Sequence, residues 1–299
     1  MRCSVGIFAH NEEKNIGKLL EAVLNQKLNQ VSIDEIIVVA SGCIDKTVPI
    51  AKEFAKKDSR IKVLVQEKRE GKASAINLFL KSAKNDILVI ESGDTIPEKD
   101  TLENLVKPFS DNGIGMSGAR PMPVNDTRTF MGFVVNLLWG IHHQISLRNP
   151  KMGEMIAFRN IFQSIPKDTA VDEASIEVIL KNKGYKLCYC PEAIVYNKGP
   201  ENIKDFLKQR RRIYFGHLAL RKENNYQVST LNLRATFYLL FKSLRSVGAP
   251  TPYKFFFVPG AILLEMMARF LGWWDYKVNK HNHVIWKVAK STKDLSRNT

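Results

Sequence analysis

The chain has 299 residues, of which 44% are apolar, so it can bury a sizeable core in one large domain and carry an appendage. A formal net charge of +15 favours a polyanionic partner, such as nucleic acid, an anionic membrane surface or a phosphorylated substrate. Four cysteines do not make a disulfide framework in a chain of this length and favour a reducing compartment. The opening apolar run is too short for a signal peptide.

Four short apolar runs in the first third of the chain alternate with helix-like patterns. The runs are residues 3–9, 36–40, 61–65 and 87–90, and the helical patterns extend to about residues 26, 57 and 82. Near-continuous apolar runs are typical of strands buried on both faces. Their alternation with helices predicts a parallel sheet of the doubly wound, nucleotide-binding type over about residues 1–110.

The middle of the chain mixes strand and helix patterns. We predict strands at residues 113–120, 153–159, 185–190 and 193–196, and helices at residues 129–147, 172–183 and 203–220. The last of these helices is strongly basic.

The region near the C-terminus is the most apolar of the chain. Residues 255–274 match the ~20 residues that a spanning helix needs. Glu265 and Arg269 argue against a simple span, whereas the aromatic end at Trp273 and Trp274 suits a helix in the membrane interface. Three interpretations stay open: an interfacial or re-entrant helix, a spanning hairpin with the apolar residues before it, and a core or oligomer helix. The basic tail that follows suits anionic lipid.

Polar residues follow each of the four predicted strands. The loops are His10-Asn11-Glu12, Ser41 to Asp45, Glu70-Gly71-Lys72 and Glu91 to Asp94. Because the carboxyl ends of parallel strands open on one edge, we expect these loops to converge on a ligand site. Lys72 begins a helix after a glycine and suits a phosphate, and Asp94 suits a divalent cation. Taken alone, the stretch at Asp94 is better explained by a turn and Lys72 by a solvated surface lysine.

Two later stretches also carry candidate chemistry. Asp172 and Glu173 begin a predicted helix, where they fit either stabilisation of the helix dipole or a general base. Gln209 and Arg212 lie three residues apart on one side of the basic helix, and arginine forks suit a diphosphate.

Five stretches in one order resemble the inverting family 2 glycosyltransferases of the membrane-associated type. They are Ala9 to Glu12, Gly71 to Asn77, Ser92 to Pro97, Asp172-Glu173 and Gln209 to Arg212. The resemblance runs from about Ser4 to Gly216. It implies an α/β fold of the GT-A class, a doubly wound mixed sheet with helices on both faces, followed by C-terminal apolar helices.

The same resemblance implies an organisation into two parts. Residues 1–225 would form the glycosyltransferase domain, with a nucleotide-sugar half at 1–110 and an acceptor half at 111–225. Residues 226–299 would supply membrane-associated helices and the basic tail.

The resemblance also implies ligands and roles. It implies a nucleotide diphosphosugar donor, Mg²⁺ or Mn²⁺, and a saccharide or lipid-linked acceptor. Asp94 matches the second acid of the family's Asp-x-Asp motif and would hold the metal. Glu173 matches the acid that usually acts as base, and Asp172 is the alternative. The implied donor-binding residues are Ala9, Asn11, Glu12, Ser41, Lys72, Ser92, Asp94, Gln209, Arg211 and Arg212.

Three departures from the family pattern are visible. Ser92 replaces the first acid of the metal motif, Ser41 stands where the family often has an aspartate, and Ile213 replaces the tryptophan after the arginine. These departures leave three properties open: whether a metal is strictly required, which nucleotide base the donor carries, and whether synthesis is processive.

The resulting expectation is a single-displacement sugar transfer at the cytoplasmic face of a membrane, for cell-envelope glycan or glycolipid synthesis. The protein would be peripheral, or integral through residues 231–274.

One alternative is a non-catalytic relative that has lost metal binding, because of Ser92. A second is a basic nucleic-acid-binding protein, but the aromatic residues cluster in apolar runs rather than among lysines and arginines. A third is a sugar nucleotidyltransferase, which would need a glycine-rich basic loop directly after the first strand. Residues 10–13 do not form such a loop. We therefore expect no nucleic-acid partner.

Overall fold

The chain folds around one eight-stranded mixed sheet with the strand order β3-β2-β1-β4-β7-β6-β8-β5. The computed structural model describes residues 1–224, 239–240, 242–244, 247–248, 251–279 and 289–295. The strands are β1 (Arg2–Ala9), β2 (Ser32–Ser41), β3 (Ile61–Gln66), β4 (Ile87–Ser92), β5 (Thr95–Pro97), β6 (Ile114–Pro123), β7 (Ile156–Arg159) and β8 (Lys186–Asn197). The helices are α1 (Ile16–Leu24), α2 (Thr47–Lys57), α3 (Lys72–Ser82), α4 (Thr101–Val106), α5 (Phe130–Ser146), α6 (Asp172–Asn182), α7 (Ile203–Asn224) and α8 (Thr251–Trp274).

The first four strands form the predicted parallel half of the sheet. Strand β1 pairs in parallel with β2 and β4, and β2 pairs in parallel with β3. Their side chains alternate between two cores: Ile36 and Val38 pack on the side of α1, α2 and α4, whereas Ile37 and Val39 pack on the side of α3 and α6. The prediction of a sheet covered on both faces is confirmed.

The second half of the sheet contains both strand directions. Strand β7 runs antiparallel to β4 and β6, β6 runs parallel to β8, and β5 closes the edge antiparallel to β8. The sequence predicted two short strands around Pro191, but they form one strand, β8. Pairing with β6 steps from Tyr189 to Ile194, so a bulge accommodates the missing N–H of Pro191. Strand β5 and helix α4 were not predicted, because three to six residues give too little periodicity.

Helices α5, α7 and α8 build a third apolar cluster beside the sheet. Its buried members include Phe133, Phe206, Leu264 and Ala268. The predicted C-terminal apolar segment is therefore a helix, with one face packed on α5 and α7. Helix α8 and the turn after it, Tyr253–Asn279, are long and apolar enough to cross a membrane, and 22% of its most apolar window is buried. Most of residues 231–247, the apolar stretch that could form a spanning hairpin with this helix, lie outside the described residues.

Candidate functional site

The carboxyl ends of β1, β2 and β4 meet at one edge of the sheet. Phe8 pairs with Ser92 across β1 and β4, and Ala9 pairs with Ala40 across β1 and β2. Gly93 brings the ends of β4 and β1 close, because an added Cβ would lie 2.9 Å from Cγ of Glu12. A cavity of about 1470 Å³ opens at this edge. The predicted convergence of the loops is therefore present.

Most of the predicted donor-binding residues line this cavity. They are Ala9, Glu12, Ser41, Lys72, Ser92, Asp94, Gln209, Arg211 and Arg212, and the predicted catalytic acids Asp172 and Glu173 line it too. Asn11 does not. Its side chain accepts a hydrogen bond of 2.9 Å from the backbone N–H of Ile44, so it joins the loops after β1 and β2.

Lys72 lies at the centre of the charged wall. It begins α3 directly after Gly71, whose φ of 93° belongs to the left-handed region that favours glycine. Its Nζ donates to Oε1 of Glu173 at 2.7 Å and lies 3.7 Å from Oδ2 of Asp172. Burial works to lower the pKa of Lys72, but the charges of Glu173 and Asp172 raise it above its ordinary value. Lys72 is therefore a fixed cation in the cavity wall.

Asp172 and Glu173 experience different environments although they are adjacent. Burial raises the pKa of Asp172 to about 6, against the opposing charge of Lys72, and its Oδ1 accepts no hydrogen bond among the described residues. Burial also acts on Glu173, but the charge and hydrogen bond of Lys72 hold its pKa below the ordinary value. The two acids interact closely, and Asp172 is the one whose pKa is raised to about 6 and whose buried Oδ1 has no hydrogen-bond partner among the described residues.

Asp94 follows β4 and lines the cavity together with Lys72 and Arg212. Burial raises its pKa, against the charges of Lys72 and Arg212. In the described part of the chain no three His, Cys, Asp or Glu side chains are grouped to hold a metal by themselves. Mg²⁺ sites commonly use one or two carboxylates and complete the shell with phosphate oxygens and water. A single carboxylate facing a cationic cavity fits that mode.

Glu91 lies behind the cavity, not in its wall. It is 1% exposed; Thr95 Oγ1 donates to its Oε1 at 2.9 Å, and its Oε2 has no partner among the described residues. Burial raises the pKa of Glu91 to about 8, although the hydrogen bond from Thr95 opposes the shift. Its role is therefore that of a carboxyl group kept neutral inside the sheet edge.

We expect the ionisation of Glu91 to be measurable as a pH dependence of the free energy of unfolding. Because its folded pKa lies above the unfolded value near 4.5, the stability that it contributes is complete below pH 4.5 and is lost as pH rises through 8. Relative to Glu91→Gln, the wild type should lose up to ~1.4 kcal/mol per pH unit between those values. Melting temperatures of both proteins from pH 5 to 9 measure this, and parallel curves would contradict the assignment.

The successive arginines of α7 point in three directions, as expected for steps of about 100° along a helix. Arg212 faces the acids of the cavity, and burial lowers its pKa although the charges of Asp172 and Glu173 oppose the shift. Arg210 is bound to Glu265 of α8, with its Nη2 2.6 Å from Oε1. Arg211 is tied to the buried Asp275 beyond α8. Arg212 is thus the arginine of the three that lies with the cavity acids, whereas Arg210 and Arg211 fasten α7 to α8.

Sequence reasoning missed Glu154. It lines the cavity, and burial, together with the charge of Asp94, raises its pKa to about 7. It precedes β7, which runs antiparallel to β4 with Ile156 opposite Ile90. The start of β7 therefore lies at the edge where β4 ends. Only the strand direction reveals this, because a single glutamate before an apolar run has no pattern of its own.

Residues of the segment 289–295 also line the cavity, and sequence reasoning did not place them there. Lys293 pairs with Glu12 and donates to the carbonyl oxygen of His10 at 3.2 Å. Asn15 holds the same segment through Lys293 and Leu295, at 3.1 Å each. The basic tail was predicted to lie on lipid, but this part of it packs against the loop after β1.

Comparison with known proteins identifies the family. The model of "Glycosyl transferase family 2" matches residues 4–170, more than half of the chain. The probable glycosyltransferase YdaM of Bacillus subtilis is 26% identical over 227 residues, covering 71% of this chain and 54% of the relative. The poly-beta-1,6-N-acetyl-D-glucosamine synthase of Staphylococcus aureus is 24% identical and covers 68% and 51%. The chain thus spans about half the length of these relatives.

Solved structures share the fold. A mannosyltransferase from Pyrobaculum calidifontis, in complex with GDP-Man and Mn²⁺, has a TM-score of 0.65 at 19% identity and covers 93% of this chain and 88% of its own. The glucosyl-3-phosphoglycerate synthase of Mycobacterium tuberculosis, with Mn²⁺, UDP and phosphoglyceric acid, has a TM-score of 0.53 at 20% identity, covering 76% and 80%. Together with the family-model match, they confirm the GT-A fold, and the chain belongs to glycosyl transferase family 2.

Proposed function

We propose that this chain is an inverting glycosyltransferase that moves a sugar from a nucleotide diphosphosugar to an acceptor hydroxyl. The observation that carries the proposal is the convergence of Lys72, Asp94, Asp172, Glu173 and Arg212 on one cavity at the carboxyl edge of the sheet. Such an edge is where open α/β sheets bind ligands. Two cations suit a diphosphate, and an acid with a pKa of about 6 suits a hydroxyl that must lose a proton.

The proposed reaction is a single displacement. The acceptor oxygen forms a bond to the anomeric carbon and gives its proton to Asp172. The bond between that carbon and the diphosphate breaks, and its electron pair leaves with the diphosphate oxygen, so the configuration inverts. Lys72 and Arg212 stabilise the charge that develops on the leaving diphosphate. This assigns the base to Asp172, whereas the family resemblance alone favoured Glu173.

We also propose that Asp94 holds a divalent cation, Mg²⁺ or Mn²⁺, together with the donor's phosphate oxygens. When bound, the cation neutralises charge on the diphosphate. Ser92 supplies no second carboxylate to it. The Mn²⁺ named with two structural relatives supports this choice.

The proposed place of action is a membrane surface, with the cytoplasmic face as the expected side. Large apolar side chains on α8 are exposed, among them Phe255 at 79%, Phe256 at 73% and Leu263 at 69%. Glu265 and Arg269 do not interrupt this face, because both turn inward and pair with each other at 2.8 Å. An apolar face on a protein of charge +15 suits an anionic bilayer. We propose cell-envelope glycan or glycolipid synthesis. Two relatives support this choice: the poly-beta-1,6-N-acetyl-D-glucosamine synthase and a glucuronosyltransferase of Methanococcus voltae whose name specifies dolichyl N-acetyl-alpha-D-glucosaminyl phosphate.

The proposal is tested by turnover. The protein in detergent is incubated with each common nucleotide sugar, Mn²⁺ and a lipid extract, and released nucleoside diphosphate is measured. Release from one donor, abolished by Asp94→Ala and by chelation of the metal, is the expected result. If no donor gives release above that of Asp94→Ala, the proposed function is wrong and a non-catalytic role replaces it.

A further inference from the structure

The loops after β1, β2 and β3 line one end of the cavity, where His10, Ser41 and Arg69 contribute to the wall. Along the sheet, β4 is followed by β1 and then by β2, so the end of β2 lies two strand spacings from the end of β4. Two spacings are roughly 10 Å, which leaves room for a ribose between a diphosphate at Asp94 and a base at His10. The nucleoside end of the proposed donor site is therefore at His10.

The ring of His10 is oriented by a backbone oxygen. Its Nδ1 lies 2.7 Å from the carbonyl oxygen of Ser41, at the end of β2. Because a carbonyl oxygen can only accept a hydrogen bond, Nδ1 carries the proton, and in the neutral ring Nε2 is then an acceptor. Nε2 has no hydrogen-bond partner among the described residues, and the half-buried ring lines the cavity. His10 therefore offers one acceptor to a ligand.

The surroundings of His10 keep its ring neutral. Burial lowers the pKa of His10 below its ordinary value, and the charges of Arg69 and Lys293 add to this shift. The hydrogen bond to Ser41 and the charge of Asp45 oppose the shift without cancelling it. Since the ordinary pKa of histidine is already about 6.5, the ring is uncharged at neutral pH, and Nε2 stays an acceptor.

The backbone of His10 is held on both sides. Nζ of Lys293 donates to the carbonyl oxygen of His10 at 3.2 Å. The next residue, Asn11, accepts a hydrogen bond of 2.9 Å from the backbone N–H of Ile44 and so ties the loops after β1 and β2 together. A group that is already fixed in position loses little freedom when a ligand binds, so it discriminates well between ligands.

Arg69 adds a hydrogen-bond donor at the same end of the cavity. The loops after β2 and β3 lie in close contact, because an added Cβ at Gly42 would be 2.6 Å from the backbone nitrogen of Arg69. Burial lowers the pKa of the Arg69 guanidinium, and no carboxylate of the described residues offsets this shift. The N–H groups of a guanidinium can donate to a carbonyl oxygen. Arg69 is therefore available to a ligand that also reaches His10.

An acceptor beside a donor matches one kind of base edge. Uracil, thymine and guanine present a ring N–H next to a carbonyl oxygen, whereas cytosine and adenine present an unprotonated ring nitrogen next to an amino group. The N–H of the first group can donate to Nε2 of His10, and the oxygen can accept from Arg69. With the second group, two acceptors would face each other at His10 and two donors at Arg69.

We propose that His10 and Arg69 select the base of the sugar donor, which carries uracil, thymine or guanine and not cytosine or adenine. Ser41 stands where the family often has an aspartate. Its backbone oxygen takes part in the selection, because it fixes the ring of His10. This inference rests on the proposed glycosyl transfer and names the class of donor that the same site accepts.

The test compares nucleoside diphosphates that differ at this edge of the base: UDP with CDP, dTDP with dCDP, and GDP with ADP. Calorimetry measures their binding to the full chain in detergent, with Mn²⁺ at neutral pH. At least one of UDP, dTDP and GDP should bind at least ~10-fold more tightly than its partner. A smaller preference in every pair, or a preference for CDP, dCDP or ADP, would overturn the inference. If folded protein binds none of the six, the proposed function itself is wrong.

Two variants then test the part played by His10. His10→Phe keeps a ring but has no acceptor, whereas His10→Gln keeps an acceptor oxygen at a similar reach. His10→Phe should bind the preferred nucleotide about tenfold less tightly and its partner within about threefold of the wild type, and His10→Gln should retain part of the preference. A purely structural role would weaken both members of a pair alike, and that result, or an undiminished preference in His10→Phe, would overturn selection by His10. The comparison within the wild type is decisive even if a variant does not fold.

Discussion

The Asp172→Asn substitution is expected to lower kcat by ~10²–10⁴-fold, the range typical of a lost general base. Asp172 is 2% exposed, lines the cavity, and keeps an oxygen without a hydrogen-bond partner among the described residues. Asparagine has nearly the same shape but cannot take the acceptor's proton. The affinity for nucleoside diphosphate should stay within about threefold, because the amide side chain would still fill the same volume beside Lys72.

The matched control is Glu173→Gln. Oε1 of Glu173 already accepts a hydrogen bond of 2.7 Å from Nζ of Lys72. Loss of the Glu173 charge should therefore disturb Lys72 and reduce kcat by only about tenfold. Steady-state kinetics of both variants with one donor give the ranking. A larger loss of kcat in Glu173→Gln than in Asp172→Asn would assign the role of general base to Glu173. Full activity of both variants would indicate a nucleophile that is already ionised, such as a phosphate.

The Lys72→Met substitution is expected to lower the free energy of unfolding by ~3–5 kcal/mol at pH 7, as is usual when one partner of a buried ion pair is removed. Lys72 is the cation nearest to both acids, at 2.7 Å and 3.7 Å, and its side chain is 15% exposed. Methionine fills a similar volume but leaves the acids without that charge. Their folded pKa values then rise, so the loss should shrink as pH falls toward 5.

Lys14→Met is the control for this prediction. Lys14 forms an ion pair of 3.3 Å with Asp294, and the two side chains are 62% and 39% exposed. Exposed pairs of this kind contribute about 0.2–1 kcal/mol. Urea unfolding at pH 5 and pH 7 compares the two variants. Equal losses for Lys72→Met and Lys14→Met would show that Lys72 is not the central charge of the site.

The parallel half of the fold could be predicted because its sequence pattern is local. The runs at β1 to β4 are apolar on both faces, and each is followed by polar residues that mark its carboxyl end. Since parallel strands place those ends together, the sequence was enough to bring Lys72 and Asp94 to one edge. The order of the motifs then added Asp172, Glu173 and Arg212.

The rest of the site depends on contacts that no local pattern encodes. Glu154 reaches the edge only because β7 runs antiparallel to β4. Arg210 looks like an ordinary member of a basic amphipathic helix until Glu265 of α8 pairs with it. Lys293 lies 281 residues from its partner Glu12. In each case the tertiary arrangement, and not the residue type or its neighbours, gives the side chain its place.

The measurement that tests the central claim most directly is calorimetric binding of UDP, GDP, CDP and dTDP, with and without Mn²⁺. It compares the wild type with Asp94→Ala and with Asp86→Ala, which removes the same charge from the opposite end of β4. The account predicts that one nucleotide binds in a metal-dependent manner to the wild type and to Asp86→Ala, and that Asp94→Ala loses this binding. Folded protein that binds none of the four, or binding that Asp94→Ala retains with Mn²⁺, would contradict the assignment of the cavity as a nucleotide-sugar site.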